Sequence, residues 1–322
     1  MKPAAQTAPA VSAASVRPSP SRALLGLAVA STVLIWTFNF VIAKRGLERG
    51  GIDALTLASF RVVLAALIMA AAYLPAAGKR ASLTRGDLWT LAPLGLFGVA
   101  LNQVLFTVGL NYTTVGHSSL IIGSGPITIL LMAWLMRLER LTVKKILGML
   151  LSFAGVAVLA AEHGFHFTGQ RATALGDLIT LLGSLAFAAF AVLGKKLAGR
   201  YDSTTVNACA FFTGGLLVLP LAVWQALRLD WGAVRWEGWV ALLYMATMAS
   251  VTAYVIWYWT LRHMSAARLA AFGYLQPLLA TSLGVLVLGE ALTSHLLLGG
   301  TLVIVGVVLA ELGPREESPA RY

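Results

Sequence analysis

The chain has 322 residues, of which 58% are hydrophobic and 11% charged, against roughly 25% charged in an ordinary soluble domain. Its mean hydropathy of +0.81 excludes a typical soluble enzyme. The 24 Lys and Arg against 13 Asp and Glu give a formal charge of +11, which in an apolar chain first reports membrane orientation and calls for no nucleic acid.

Residues 1 to 21 are rich in Ala, Pro and Ser and lack apolar periodicity, so a disordered cytoplasmic tail is expected there. A helix crosses a hydrocarbon core of ~30 Å with about 20 apolar residues. Apolar runs fall near 23–43, 54–75, 87–110, 113–136, 142–161, 174–194, 204–227, 238–261, 265–289 and 293–312, which makes ten candidate spans. The first lacks a small-x-small cleavage site, so it is expected to remain as a signal anchor. Only Asn111, Tyr112, Thr113 and Thr114 separate the third run from the fourth, which fits a tight helical hairpin. Cys209 is the single cysteine and lies in an apolar stretch, where it reads as a packing residue.

Orientation follows from Lys and Arg near span ends, which resist translocation. With the N-terminus cytoplasmic, 17 of the 24 lie in inside segments. Six lie outside, namely Lys44, Arg45, Arg49, Arg171, Arg228 and Arg235, and Arg61 lies within a span. Both termini are therefore expected inside.

The chain repeats itself. A shift of 151 residues carries Leu110 to Leu261, Pro126 to Pro277, Glu139 to Glu290, Leu141 and Thr142 to Leu292 and Thr293, Gly148 to Gly299, and Gly155 to Gly306. It also carries Lys44 to Lys195 and Phe60 to Phe211. Five spans per repeat is an odd number, so the second half would enter the membrane in the opposite sense, a building plan of secondary transporters.

The pattern Pro126 to Glu139-Arg140-Leu141-Thr142 with Gly148 and Gly155, recurring as Pro277 to Glu290-Ala291-Leu292-Thr293 with Gly299 and Gly306, resembles the duplicated EamA domain of the drug/metabolite transporter (DMT) superfamily. The resemblance divides the chain into a cytoplasmic tail (1–21), a first EamA repeat (22–161), a second (174–312) and a cytoplasmic tail (313–322). It implies an all-α integral membrane protein of ten transmembrane helices, two inverted five-helix repeats around a central cavity. Helices 1, 3, 4, 6, 8 and 9 would line that cavity, with 5 and 10 peripheral. Similar proteins, including amino-acid exporters of the YddG type, export or take up amino acids, other metabolites and drugs.

Several residues could carry function. Trp36, Asn39 and Phe40 in the first span, Asn102, Gln103 and Phe106 in the third, Tyr254, Trp257 and Tyr258 in the eighth, and Tyr274 and Gln276 in the ninth combine aromatic rings with amides. Amides cost free energy in lipid unless partnered, so these should face the bundle interior, where either interhelical bonding or substrate would satisfy them. Gly123, Gly125, Pro126 and Pro277 mark matching helix breaks, the best sequence pointer to a transport site. Glu139 and Glu290 lie beside helix N-termini capped by Thr142 and Thr293, where they either staple the turn or serve proton coupling, and the glycines seven apart mark a close-packed face. Trp224, Trp231, Trp236 and Trp239 fit an interfacial belt. Arg61 could pin a neighbouring helix, snorkel to the interface or serve function. His117 is either a satisfied hydrogen-bonder or a proton relay.

Absences also guide the reading. No carboxylate sits at mid-depth, since Asp87 and Asp177 begin spans and Glu139 and Glu290 end them. Lipophilic-cation antiport through a first-helix carboxylate is disfavoured. No GxSxG, HExxH, P-loop or His/Cys cluster occurs, so neither an enzyme, an ATP-driven pump nor a metal or other cofactor is expected. The expectation is a bacterial inner-membrane exporter of small metabolites, amino acids and in particular aromatic ones among them, working by alternating access as monomer or homodimer. Its partners would be the lipid bilayer, a small-molecule substrate, and protons or another ion. A carrier of anionic or sugar-linked metabolites would need converging Lys and Arg, such as Arg61 with Lys44 or Lys195. A multidrug exporter remains an alternative.

Overall fold

The computed structural model describes residues 20–77, 84–137, 142–161, 171–197, 201–263 and 275–311. Both expected tails lie outside these residues, apart from Pro20 and Ser21. Among the described residues every regular element is helical, and we number the elements α1 Arg22–Arg49, α2 Ala54–Ala77, α3 Arg85–Tyr112, α4 Val115–Leu135, α5 Val143–Ala161, α6 Arg171–Leu197, α7 Ser203–Ala226, α8 Trp236–His263, α9 Leu275–Leu283 and α10 Ser294–Glu311. Seven, α1 to α4 and α6 to α8, are long and apolar enough to cross a membrane, and shorter apolar helices run over Gln276–Leu288 and Ser294–Gly306. The outer surface is correspondingly greasy, with Leu27, Leu67, Leu74 and Leu286 all exposed.

Local sequence sets the helix starts. Ser21 Oγ accepts from Leu24 N–H and begins α1, and Thr84 and Asp87 form a reciprocal capping box at α3. Asp53 Oδ1 accepts from the N–H groups of Leu55 and Thr56 at α2, and Asp202 Oδ1 does the same for Thr204 and Thr205 at α7. Thr142 and Thr293 hydroxyls accept from Lys145 and Leu296 N–H and cap α5 and α10.

The internal repeat has a physical counterpart. Lys44 Nζ donates to Leu110 O at 3.0 Å, and 151 residues on Lys195 Nζ donates to Leu261 O at 2.8 Å. α5 and α10 pack along each other through reciprocal contacts. A Cβ at Gly155 would lie 2.6 Å from Gly299 O and 2.8 Å from Val303 N, and one at Gly306 would lie 2.6 Å from Gly148 O and from Ser152 N. Ser152 Oγ donates to Val303 O, the position equivalent to its own. Mutual contacts of this kind are the mark of a two-fold relation.

The sequence does not foreshadow π-helical turns, which occupy Gly95–Leu101 in α3 and the matching Met245–Thr252 in α8, with a third at Gly284–Leu288 after α9. Such turns insert a residue and cluster at functional sites. α4 breaks at Ser124 and resumes at Gly125 with Pro126 in the first turn, where proline has no intrahelical hydrogen bond to lose. Trp224, Trp231, Trp236 and Trp239 are all exposed, with Trp231 stacked between Phe60 and Trp239.

Candidate functional site

A cavity of about 130 Å³ lies inside the bundle, lined by residues of α1, α3, α4, α6, α8 and α9, with Arg61 added from α2. An engineered cavity of ~150 Å³ takes one benzene ring, so this space suits a small side chain or ring. Its wall is an aromatic cluster. Trp36 meets Phe187 edge-on at 5.8 Å and Tyr254 at 6.0 Å, and Phe187 meets Trp257 at 5.2 Å.

Hydrogen bonds to the π turns orient these rings. Trp36 Nε1 donates to Ala249 O at 3.0 Å, and the Tyr254 hydroxyl lies 2.8 Å from both Gly98 O and Asn102 Oδ1. Asn102 Nδ2 in turn donates to Gly183 O at 3.0 Å. The Asn102 amide is thus used at both ends.

Arg61 is 3% exposed and turned into the cavity, so it does not snorkel to the interface. Its Nε donates to Ser250 Oγ at 3.0 Å, and that hydroxyl has Gln103 Oε1 at 2.9 Å and Met245 O at 2.7 Å as acceptors. The guanidinium carbon sits 5.8 Å from the Phe106 ring centroid, and Phe106 packs edge-on against Phe40 at 5.2 Å. Among the described residues, no hydrogen-bond partner meets the buried Arg61 Nη1, nor Oδ1 of the cavity residue Asn39. Among the same residues, no carboxylate lies within salt-bridge distance of Arg61 and no other cation lines the cavity.

Of the residues singled out from sequence, Trp36, Asn39, Phe40, Asn102, Phe106, Tyr254, Trp257 and Gln276 line this one space, together with Gly123, Gly125, Pro126 and Arg61. Others lie elsewhere. The Tyr258 hydroxyl donates to Gly194 O at 2.6 Å, away from the lining. His117 Nδ1 pairs with Asp177 Oδ2 at 3.0 Å, and Thr113 Oγ1 donates to Asp177 Oδ1 at 2.5 Å, a buried cluster between α4 and α6. Pro277 abuts Gly123, where an added Cβ would run into the proline Cγ. The two matched breaks therefore touch. Glu290 accepts from the N–H groups of Val115 and Gly116 at 2.8 and 3.0 Å, capping α4 from the other repeat. Tyr274 and Glu139 lie outside the described residues.

Sequence reasoning missed Val29, Thr32, Val33, Ile122, Ile129, Ser184 and Phe187 in the lining. Most are apolar and look identical to lipid-facing positions. Phe187 had a usable signal, since Ser184, Phe187 and Phe190 share one face of α6 at three-residue spacing. Lys44 and Lys195 are held by backbone carbonyls at helix ends, and neither lines the cavity. Among the described residues no three His, Cys, Asp or Glu side chains are grouped to hold a metal ion.

Apolar helices packed around a polar-studded chamber define a multi-pass membrane protein that handles a small molecule. Comparison with known proteins is specific about which. The EamA-like transporter family matches the chain twice, over residues 24–161 and 174–312. The chain belongs to this family, within the DMT superfamily. An uncharacterized transporter of Archaeoglobus fulgidus is 31% identical over 88% of this chain and 96% of its own length. A probable terminal-alkyne amino-acid exporter of Streptantibioticus cattleyicolor is 29% identical over 90% of this chain and 95% of its own. One crystal structure superimposes with a TM-score of 0.63 at 20% identity, covering 91% of this chain and 99% of that one, a likeness of fold.

Proposed function

We propose that this protein is an inner-membrane exporter of amino acids, those with aromatic or similarly sized apolar side chains first among them. The observation that carries the reading is the cavity itself, a ring-sized space with an aromatic wall and the Arg61 cation turned into it. Ten helices in two inverted repeats, with both termini cytoplasmic, would rock about it in alternating access. The relative named as a probable amino-acid exporter supports the same cargo class. A sugar-phosphate or nucleotide carrier would need a second cation at the cavity, and Lys44 and Lys195 are engaged at helix ends.

Counterflow into proteoliposomes preloaded with unlabelled solute tests this reading, using labelled Phe, Met and Thr beside an organic amine and a phosphate ester, with and without a pH gradient. Saturable exchange of Phe or Met is expected. Exchange of the phosphate ester or the amine with none of the amino acids would refute it, and dependence on the gradient would identify protons as the coupling ion.

A further inference from the structure

Two buried polar atoms of residues that line the cavity lack partners among the described residues, and they are complementary. Arg61 Nη1 is a buried cationic donor, and Asn39 Oδ1 is a buried neutral acceptor. A guanidinium that is 3% exposed would ordinarily be paired, because burying a charge without a counter-charge is costly. Here Ser250 Oγ, a neutral hydroxyl, takes Nε, and the ring of Phe106 lies beside the guanidinium carbon. The arrangement holds the fork in place while one edge remains unpaired.

We infer that Arg61 receives the carboxylate of the cargo and Asn39 its ammonium group, so that the cavity recognises the zwitterionic head of an amino acid and leaves its side chain to the aromatic wall. Arginine presents paired N–H donors that match a carboxylate, and such charge-assisted bonds are about twice as strong as neutral ones. The balance of charge fits the zwitterion. One cation meets one carboxylate, while the ammonium finds an amide oxygen in a space walled by Trp36 and Trp257, and aromatic rings attract cations. A dianionic phosphate would leave a net negative charge in the chamber. A plain amine would place a second positive charge beside Arg61. Asn39 and Phe40 are adjacent on α1, Phe40 packs on the same Phe106 ring that Arg61 approaches, and both Asn39 and Arg61 line the one space.

This assignment rests on the amino-acid reading above, and the test separates the two. Labelled Phe counterflow by the wild-type protein is challenged with 3-phenylpropionate, which keeps the carboxylate, and with phenethylamine and phenylalaninamide, which lack its charge. Phenylpropionate should compete, and the two carboxylate-free compounds should be at least tenfold weaker than Phe. Equal competition by phenethylamine or phenylalaninamide would overturn the assignment without any mutation. Arg61→Gln should raise the KM for Phe at least tenfold with a smaller change in kcat, and Arg61→Lys should recover part of the loss. A KM within twofold of wild type in monodisperse Arg61→Gln protein would also overturn it. Asn39→Leu should weaken Phe while leaving phenylpropionate, which has no ammonium, unchanged; equal weakening of both would remove Asn39 from the proposal. Should wild type move no amino acid, the cargo reading falls, and tryptophan-fluorescence titration with phenylpropionate then decides on Arg61 alone. Binding that Arg61→Gln abolishes would uphold the carboxylate subsite, and no binding by wild type would overturn it.

Discussion

Gly155 and Gly306 give the two-fold relation between the halves a measurable consequence. A methyl group at Gly306 would stand 2.5 Å from Ser152 Oγ and 2.6 Å from Gly148 O, and one at Gly155 would stand 2.6 Å from Gly299 O. These distances are about 1 Å short of ordinary contact at ~3.5 Å. The obstructing atoms are mostly backbone, so the clash is relieved only by separating α5 from α10. Overpacking of this kind costs about 1–3 kcal/mol, so Gly155→Ala and Gly306→Ala should each lower the folded-to-unfolded ratio by roughly 5- to 150-fold. Because one separation relieves both clashes, the double variant should lose clearly less than the two single losses added together. Thermal or denaturant unfolding in detergent, followed by tryptophan fluorescence, measures all three. Strictly additive losses, or single variants as stable as wild type, would refute the reciprocal packing.

Other features give further expectations. Lys44→Met strips the donors from Leu110 O and Thr113 O, and Lys195→Met strips one from Leu261 O, so each should lose about 1–3 kcal/mol of stability. Unfolding midpoints check this, and an effect in one variant only would argue against equivalent roles in the two halves. His117→Ala removes one of the two partners that the buried Asp177 carboxylate has among the described residues, leaving Thr113, and should cost about 1–3 kcal/mol. A loss below ~1 kcal/mol would show that the pair does not hold α4 to α6.

Seven membrane-length helices were legible because apolar length is a local property, and so were the starts of α5 and α10, capped by Thr142 and Thr293. The repeat was legible too, because Lys44 with Leu110 and Lys195 with Leu261 keep one spacing of 151 residues. The π turns were not, since Gly95–Leu101 and Met245–Thr252 carry no pattern distinct from an apolar α-helix. Asp177 read only as the start of a span. Its burial depends on Gly176, where a Cβ would sit 2.6 Å from the Tyr112 carbonyl carbon, a close approach that seats Asp177 against Thr113 and His117. Sequence also grouped Tyr258 with Tyr254 and Trp257 by helical spacing. Its ring packs by Gly194, where an added Cβ would stand 2.9 Å from it, and that glycine's carbonyl accepts its hydroxyl. Arg61 was open to three readings because depth in a helix does not reveal direction, which Ser250 and Phe106 supply.

Gly125 offers the most direct test that this cavity is the transport site. It lines the space, and a Cβ added there meets no atom within 4 Å. A methyl group at this position would therefore displace no neighbour, and a longer side chain would start from the wall of the chamber. Gly125→Leu should unfold at the wild-type midpoint while Phe counterflow falls at least tenfold. Counterflow at the wild-type rate in folded Gly125→Leu protein would contradict the account, because the solute would then be crossing somewhere else.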